Sequence, residues 1–189
     1  MILNEFNLVN PNVLYVESYL PVTYKEIEVG NIKIQLAEKD DIGNPFSRMI
    51  CSHGSDGFFA HIAINNDSYI KMYDYFDFVL NYIREKKIDV ILASGVFYEL
   101  LTTYLIAKDF SPMPKIAKLV CNTGDKVNLA TFNFLKEIEV IDDWCDHMRC
   151  WDGGASFFTC KHGVYHVQDE LSYVFNDFDG KLCSIDFFS

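Results

Sequence analysis

The sequence predicts an α/β fold, a three-layer sandwich with a mainly parallel central sheet and extra β-strands at its N- and C-terminal ends. Three observations lead there. Short apolar runs alternate with helical-period segments through the middle of the chain, whereas both ends carry short strands separated by turn residues. With 189 residues, half of them hydrophobic, the chain suits one ordinary domain over 1–189 that buries roughly 70% of its unfolded surface.

At the N-terminal end, Leu14-Tyr15-Val16 reads as a strand. The alternating stretches Tyr24 to Val29 and Ile32 to Leu36 flank Gly30-Asn31, a hairpin turn. Arg48 to Cys51 is a short apolar run ending in the loop Ser52-His53-Gly54-Ser55-Asp56-Gly57, and Phe58 to Ile64 is a further strand. From Ser68 to Lys87 apolar residues fall three or four apart (Tyr69, Met72, Tyr73, Phe76, Val79, Leu80, Ile83), which predicts a helix with Asn66, Asp67 or Ser68 as its cap.

Ile88 to Ala93 reads as a buried strand, followed by a helix over about Phe97 to Lys108 that Ser111-Pro112-Met113-Pro114 stops. Ile116 to Val120 is a core strand running into Cys121-Asn122-Thr123-Gly124-Asp125, after which Val127, Ala130, Phe134, Leu135 and Ile138 predict a helix capped by Asp125. This strand and helix succession implies parallel strands covered on both faces. Beyond Glu139 the pattern returns to short strands, with Gly163 and Asp179-Gly180 at turns.

The charge narrows the function classes. Against 27 acidic residues stand 16 basic ones, a net charge of -11, so neither nucleic acid nor an anionic membrane is an expected partner. A cationic substrate or a basic protein suits the charge better. Met1 to Glu5 carries no basic stretch followed by an apolar run, which makes the cytoplasm the expected compartment.

In an open α/β sheet, reactive groups gather at the carboxyl ends of the strands. His53-Gly54 and Cys121-Asn122-Thr123-Gly124 stand at two such expected ends. A thiol just before a helix has a lowered pKa and an imidazole beside it serves as its base, while main-chain N–H groups at Gly54 and Cys121 suit an oxyanion. The pairing of Ile50-Cys51-Ser52-His53-Gly54 with Lys118-Leu119-Val120-Cys121-Asn122-Thr123-Gly124 resembles the caspase-like cysteine peptidases, and Cys121-Asn122-Thr123-Gly124 is similar to the nucleophile segment of the bacterial CHAT group.

That resemblance implies a cysteine endopeptidase without a cofactor, with Cys121 as nucleophile, His53 as general acid and base, and Gly54 as oxyanion donor. Asn122 and Gly124 join it as binding positions. Asp56 and Asp125, near the two motifs, favour a basic residue before the scissile bond of a protein or peptide substrate. Such an enzyme needs control, for example by a regulatory protein partner. The rival expectation is a non-catalytic acidic module, such as an immunity protein or an inactive subunit, whose many Tyr and Phe residues meet a cationic partner.

No metal is expected, and the second constellation, Cys145, His147, Cys150, Cys160, His162 and His166, reads first as packed thiols and turn histidines, with a structural zinc held by Cys145, Cys150, Cys160 and His162 as the weaker alternative. The one-residue separations in Cys145-Asp146-His147 and Cys160-Lys161-His162 are shorter than the usual two to four, so buried thiols and turn histidines compete with that reading. Nucleotide phosphate loops and the Gly-x-Ser-x-Gly elbow are absent from the sequence.

Overall fold

The computed structural model describes residues 6–17, 25–30, 32–38, 59–64, 72–110, 112–123, 128–149, 156–167, 172–176, 179 and 182–186. Alternation in the N-terminal region yields β1 (Val13–Glu17), β2 (Lys25–Val29), β3 (Ile32–Glu38) and β4 (Phe59–Ile64). The middle gives α1 (Met72–Lys86), β5 (Val90–Ala93), α2 (Gly95–Lys108), β6 (Ala117–Thr123) and α3 (Leu129–Glu137). Then come β7 (Ile141–Arg149), β8 (Ser156–Thr159), β9 (Tyr165–Val167), β10 (Ser172–Asn176) and β11 (Leu182–Asp186).

Nine strands form one sheet in the order β2-β3-β4-β1-β5-β6-β7-β8-β9, and β10 and β11 pair separately as an antiparallel hairpin. The central run β4-β1-β5-β6-β7 is parallel throughout. Antiparallel strands extend it on both sides, β3 and β2 at one edge, β8 and β9 at the other. The α/β sandwich with a mainly parallel sheet and added terminal strands is therefore the architecture of this chain.

Side-chain alternation along the parallel strands sorts residues onto two faces. Leu14, Val16, Ile91, Ala93 and Val120 meet residues of all three helices, among them Phe76, Tyr98, Leu101, Phe132 and Leu135, in the larger core. The intervening positions Val13, Val90, Leu92, Leu119, Cys121 and Cys145 form a second apolar cluster with Leu8 on the opposite face. Each fully buried Leu, Ile or Phe contributes about 1.5–3 kcal/mol of transfer free energy, and this two-sided burial stabilises the parallel run.

Local details refine the expected boundaries. Gly30 turns the β2–β3 hairpin at φ 60°, a left-handed conformation, and a Cβ there would lie 3.0 Å from the Asp74 carboxylate. The second helix starts at Gly95, two residues before the expected Phe97, because Ser94 caps it and accepts from the Phe97 amide at 3.4 Å. Its last turn closes at Asp109, in the left-handed conformation. The third helix has Asn128 at its N-cap, not Asp125. The expected caps of α1 (Asn66, Asp67, Ser68) lie outside the described residues. Among the described residues, no helix is long and apolar enough to cross a membrane.

The amino end of the sheet is tied shut by polar contacts. The Asn12 amide donates to Asp89 Oδ2 at 3.0 Å, and the Asn12 carboxamide donates to the carbonyls of Lys86 and Lys87 at the end of α1. The Asn12 carbonyl in turn accepts from the Asp89 and Val90 amides, and Asp89 pairs with Lys118 at 2.8 Å. Replacing Asn12 with Ala keeps the backbone bonds to Asp89 and Val90 but leaves the Lys86 and Lys87 carbonyls to water, so we expect a loss of about 1–2 kcal/mol. A denaturant midpoint equal to that of the wild type would show that this tie contributes nothing.

Candidate functional site

Three successive parallel strands bring their carboxyl ends together in register: Ala93 opposes Asn122, and Asn122 opposes Asp146. Ser94 follows directly. Asn122 and Asp146 share the helix-facing side with Val120 and Trp144, since Cys121 and Cys145 alternate onto the other face. After β1 the chain continues to β2 at the far edge, whereas after β5 it continues to β6 on the opposite side, so strand order reverses between β1 and β5. Ligands of open α/β sheets collect at this edge.

Asn122 is fully buried and its Nδ2 donates to Asp146 Oδ1 at 2.7 Å. The Asp146 amide donates to Thr159 Oγ1 at 2.7 Å, and the Tyr165 hydroxyl donates to Asp146 Oδ2. Asp146 is only 8% exposed, while Tyr165 is 47% exposed. Burial, then the hydrogen bond and charge of Asp146, push the Tyr165 phenol up to about 12.

Three aromatic rings pack in the helix-side core that also holds Val120. Tyr98 meets Phe132 edge to face with ring centres 5.0 Å apart, and Phe132 stacks on Trp144 at 5.2 Å. The Tyr98 hydroxyl reaches the carbonyls of Ile91 and Cys121 at 2.9 and 3.1 Å, joining α2 to both strands. The starts of α2 and α3 meet across the same edge, where Asn128 Nδ2 donates to Glu99 Oε1 at 2.7 Å.

The sequence-derived residues distribute unevenly over this geometry. Asn122 is part of the cluster, whereas Cys121 lies on the reverse side of its strand, opposite Cys145. His53, Gly54, Asp56, Gly124, Asp125 and Cys150 lie outside the described residues, as does Cys51. Asp146, Thr159 and Tyr165 were not singled out as a site by sequence reasoning. The signal available was the spacing, since Asn122 and Asp146 occupy equivalent places near the ends of two apolar strands.

Cys121 is 2% exposed and sits inside the ladder, because β6 continues through Asn122 to Thr123. Burial raises its thiol well above the ordinary 9.0, with the hydrogen bond and charge of Cys145 and the charge of Asp146 adding to the shift. A nucleophilic thiol needs the opposite change, a lowered pKa at an accessible helix start. Of the alternative zinc ligands, Cys145 and Cys160 are buried and His162 is exposed. Among the described residues, no group of three or more His, Cys, Asp or Glu is placed to hold a metal ion.

No family model and no curated protein matches the chain. Solved structures do match. VinN aligns with a TM-score of 0.52 and 10% identity over 96% of this chain and 39% of its own. An anthranilate CoA ligase, AuaEII, in complex with anthranoyl-AMP aligns with a TM-score of 0.44 and 12% identity, over 96% of this chain and 40% of its own. The chain thus spans about two-fifths of the length of these structures. At such identity the likeness to VinN is one of fold alone.

The likeness in fold to VinN overturns the caspase-like resemblance, and the buried thiol of Cys121, raised well above its ordinary value, does not suit a nucleophile, so the chain is not a His53–Cys121 hydrolase of the CHAT type. Nothing in the neighbours supports the acidic immunity-type module either. The motif misled because a cysteine near the end of an apolar strand is also what a buried parallel strand contains.

Two outcomes follow from the Cys121 environment. Iodoacetamide at pH 7.5 should leave Cys121 and Cys145 unmodified in the folded chain and alkylate both after unfolding, as read by peptide mass spectrometry; rapid native labelling of Cys121 would contradict its burial. The unfolded thiol loses its proton near the ordinary 9.0 while the folded one keeps it. Above that pH the unfolded state binds fewer protons, so stability should fall as pH rises from 9 toward the folded value. Cys121→Ala should flatten that decline in a series of denaturant midpoints.

Proposed function

We propose that this chain binds a carboxylic acid or its adenylate at the carboxyl ends of β5, β6 and β7, as the ligand-holding part of an acid-activating enzyme. The observation that carries the reading is the buried polar cluster of Asn122, Asp146 and Thr159, covered by the half-exposed Tyr165, at one edge of an otherwise apolar sheet. Burying such groups costs free energy that apolar residues would avoid, and small-molecule sites are where convergent polar groups in an apolar wall recur.

The starts of α2 and α3 add partial positive charge at the same edge, which suits a carboxylate or phosphate. The fold likeness to VinN supports the open-sheet scaffold that this edge site needs. Anthranoyl-AMP, the compound named for the CoA ligase, supplies the first probes. The proposal concerns binding, since the chain spans 39% of VinN and the turnover of a protein of that length is not carried over.

Titration of AMP and of anthranilate into the isotope-labelled chain should shift the amide resonances of Ser94, Asn122 and Asp146 first. Asn122→Ala should weaken the tighter of the two by about tenfold, corresponding to about 1.4 kcal/mol. The melting temperature of the variant separates lost binding from lost folding. Saturable shifts confined to other parts of the sheet would refute this placement.

A further inference from the structure

The two edges of the nine-stranded sheet meet solvent differently. β2 carries Lys25, Glu26 and Glu28 within five residues, the kind of charges that ordinarily stop an edge strand from pairing with another chain. β9 carries Tyr165, His166 and Val167, with no Asp, Glu, Lys or Arg among them. Large side chains meet solvent there, since Val164 is 56% exposed and Tyr165 47%. Exposed residues run without a break from Lys161 to His166.

The main chain of β9 is open on its outer side. The Cys160 amide donates to the Val164 carbonyl at 2.9 Å, and bonded and non-bonded pairs alternate along an antiparallel ladder. With Thr159 opposite Tyr165, Phe158 opposite His166 and Phe157 opposite Val167, it is His166 that bonds to β8. The N–H and C=O groups of Tyr165 and Val167 therefore point away from β8. Because β9 ends the strand order, among the described residues no strand pairs with them.

From this arrangement we infer that two copies of this chain join through β9, antiparallel about a two-fold axis at His166, so that their sheets run into one. Tyr165 of each copy exchanges N–H···O bonds with Val167 of the other, and the two His166 side chains lie side by side at a non-bonded pair. Charge selects both this orientation and a second copy as the occupant, because Lys161 precedes the strand and Asp169 and Glu170 follow it in the sequence. An antiparallel pair sets the basic start of one segment against the acidic end of the other, whereas a parallel pair sets like against like. A strand free of full charges is also where two chains of net charge -11 approach with least repulsion. A two-fold contact closes on itself, so it gives a dimer and not a fibre. Self-pairing needs no ligand and holds or fails independently of the carboxyl-edge site.

Sedimentation equilibrium over a concentration series should give the wild type a species of twice the chain mass. Val167→Pro removes an outward N–H and leaves the bonds to β8 in place, so it should weaken the dimer by about tenfold or more. His166→Glu and His166→Lys should each be monomeric, because like charges then face each other across the axis. An equimolar mixture of the two should restore a dimer containing one copy of each, which separates a broken contact from a broken fold. A wild type that stays monomeric throughout the series would overturn self-pairing and leave the edge to a strand of another protein. A dimer that survives unchanged in Val167→Pro and in both His166 variants would place the contact elsewhere and overturn it as well, as would charge variants that stay apart when mixed.

Discussion

The pairing of β6 with β7 fixes almost everything of interest at the carboxyl edge. In that ladder Asn122 faces Asp146 and Cys121 faces Cys145, with side chains alternating between the helix side and the reverse side. A slip of one residue would move the amide and carboxylate into the apolar cluster on the reverse side and send both thiols toward the helices. Apolar burial on both faces prevents the slip: Leu119 and Cys121 belong to one cluster, Val120 to the other. The polar cluster is thus held in place by the surrounding hydrocarbon.

The two ends of the sheet are built to different purposes. At the amino end, Asn12, Asp89 and Lys118 close a compact set of hydrogen bonds and an ion pair that joins β1, β5, β6 and the end of α1. At the carboxyl end, Asn122, Asp146 and Thr159 are buried, with Trp144 two positions before Asp146 stacked on Phe132, and the solvent-side contact is the tyrosine of a short edge strand. Polar ties join the strand starts, and the buried polar side chains lie at the strand ends, the edge at which open α/β sheets take ligands.

The thiols illustrate how burial decides chemistry. Cys121 adjoins Cys145 in the smaller apolar cluster, where the charged form of a thiol is disfavoured and solvent is excluded. A residue that in sequence stands beside Asn-Thr-Gly and suggests a nucleophile is, in the fold, a small hydrophobe filling space between strands. Its neighbour Asn122 faces the opposite way and belongs to the polar cluster, so a change of one position separates core from candidate site.

Much of the architecture was legible in the sequence because it depends on local periodicity. The alternation on either side of Gly30, the helical spacing from Met72 to Ile83 and the apolar runs before Ser94 and Asn122 each specify an element from neighbouring residues. The sequence alone also determined that the parallel strands alternate with helices and that added strands flank them. What tertiary structure decided was which strands become neighbours and how far each ladder extends. β6 runs two residues past Cys121 because β7 offers partners for Asn122 and Thr123, and no local signal contains that information. Asp146, Thr159 and Tyr165 meet through the successive antiparallel pairing of β7 with β8 and β8 with β9. Asn122 joins them only through the parallel β6–β7 ladder, whose partners lie more than twenty residues apart with α3 between them, so that register is set by tertiary packing and not by neighbouring residues.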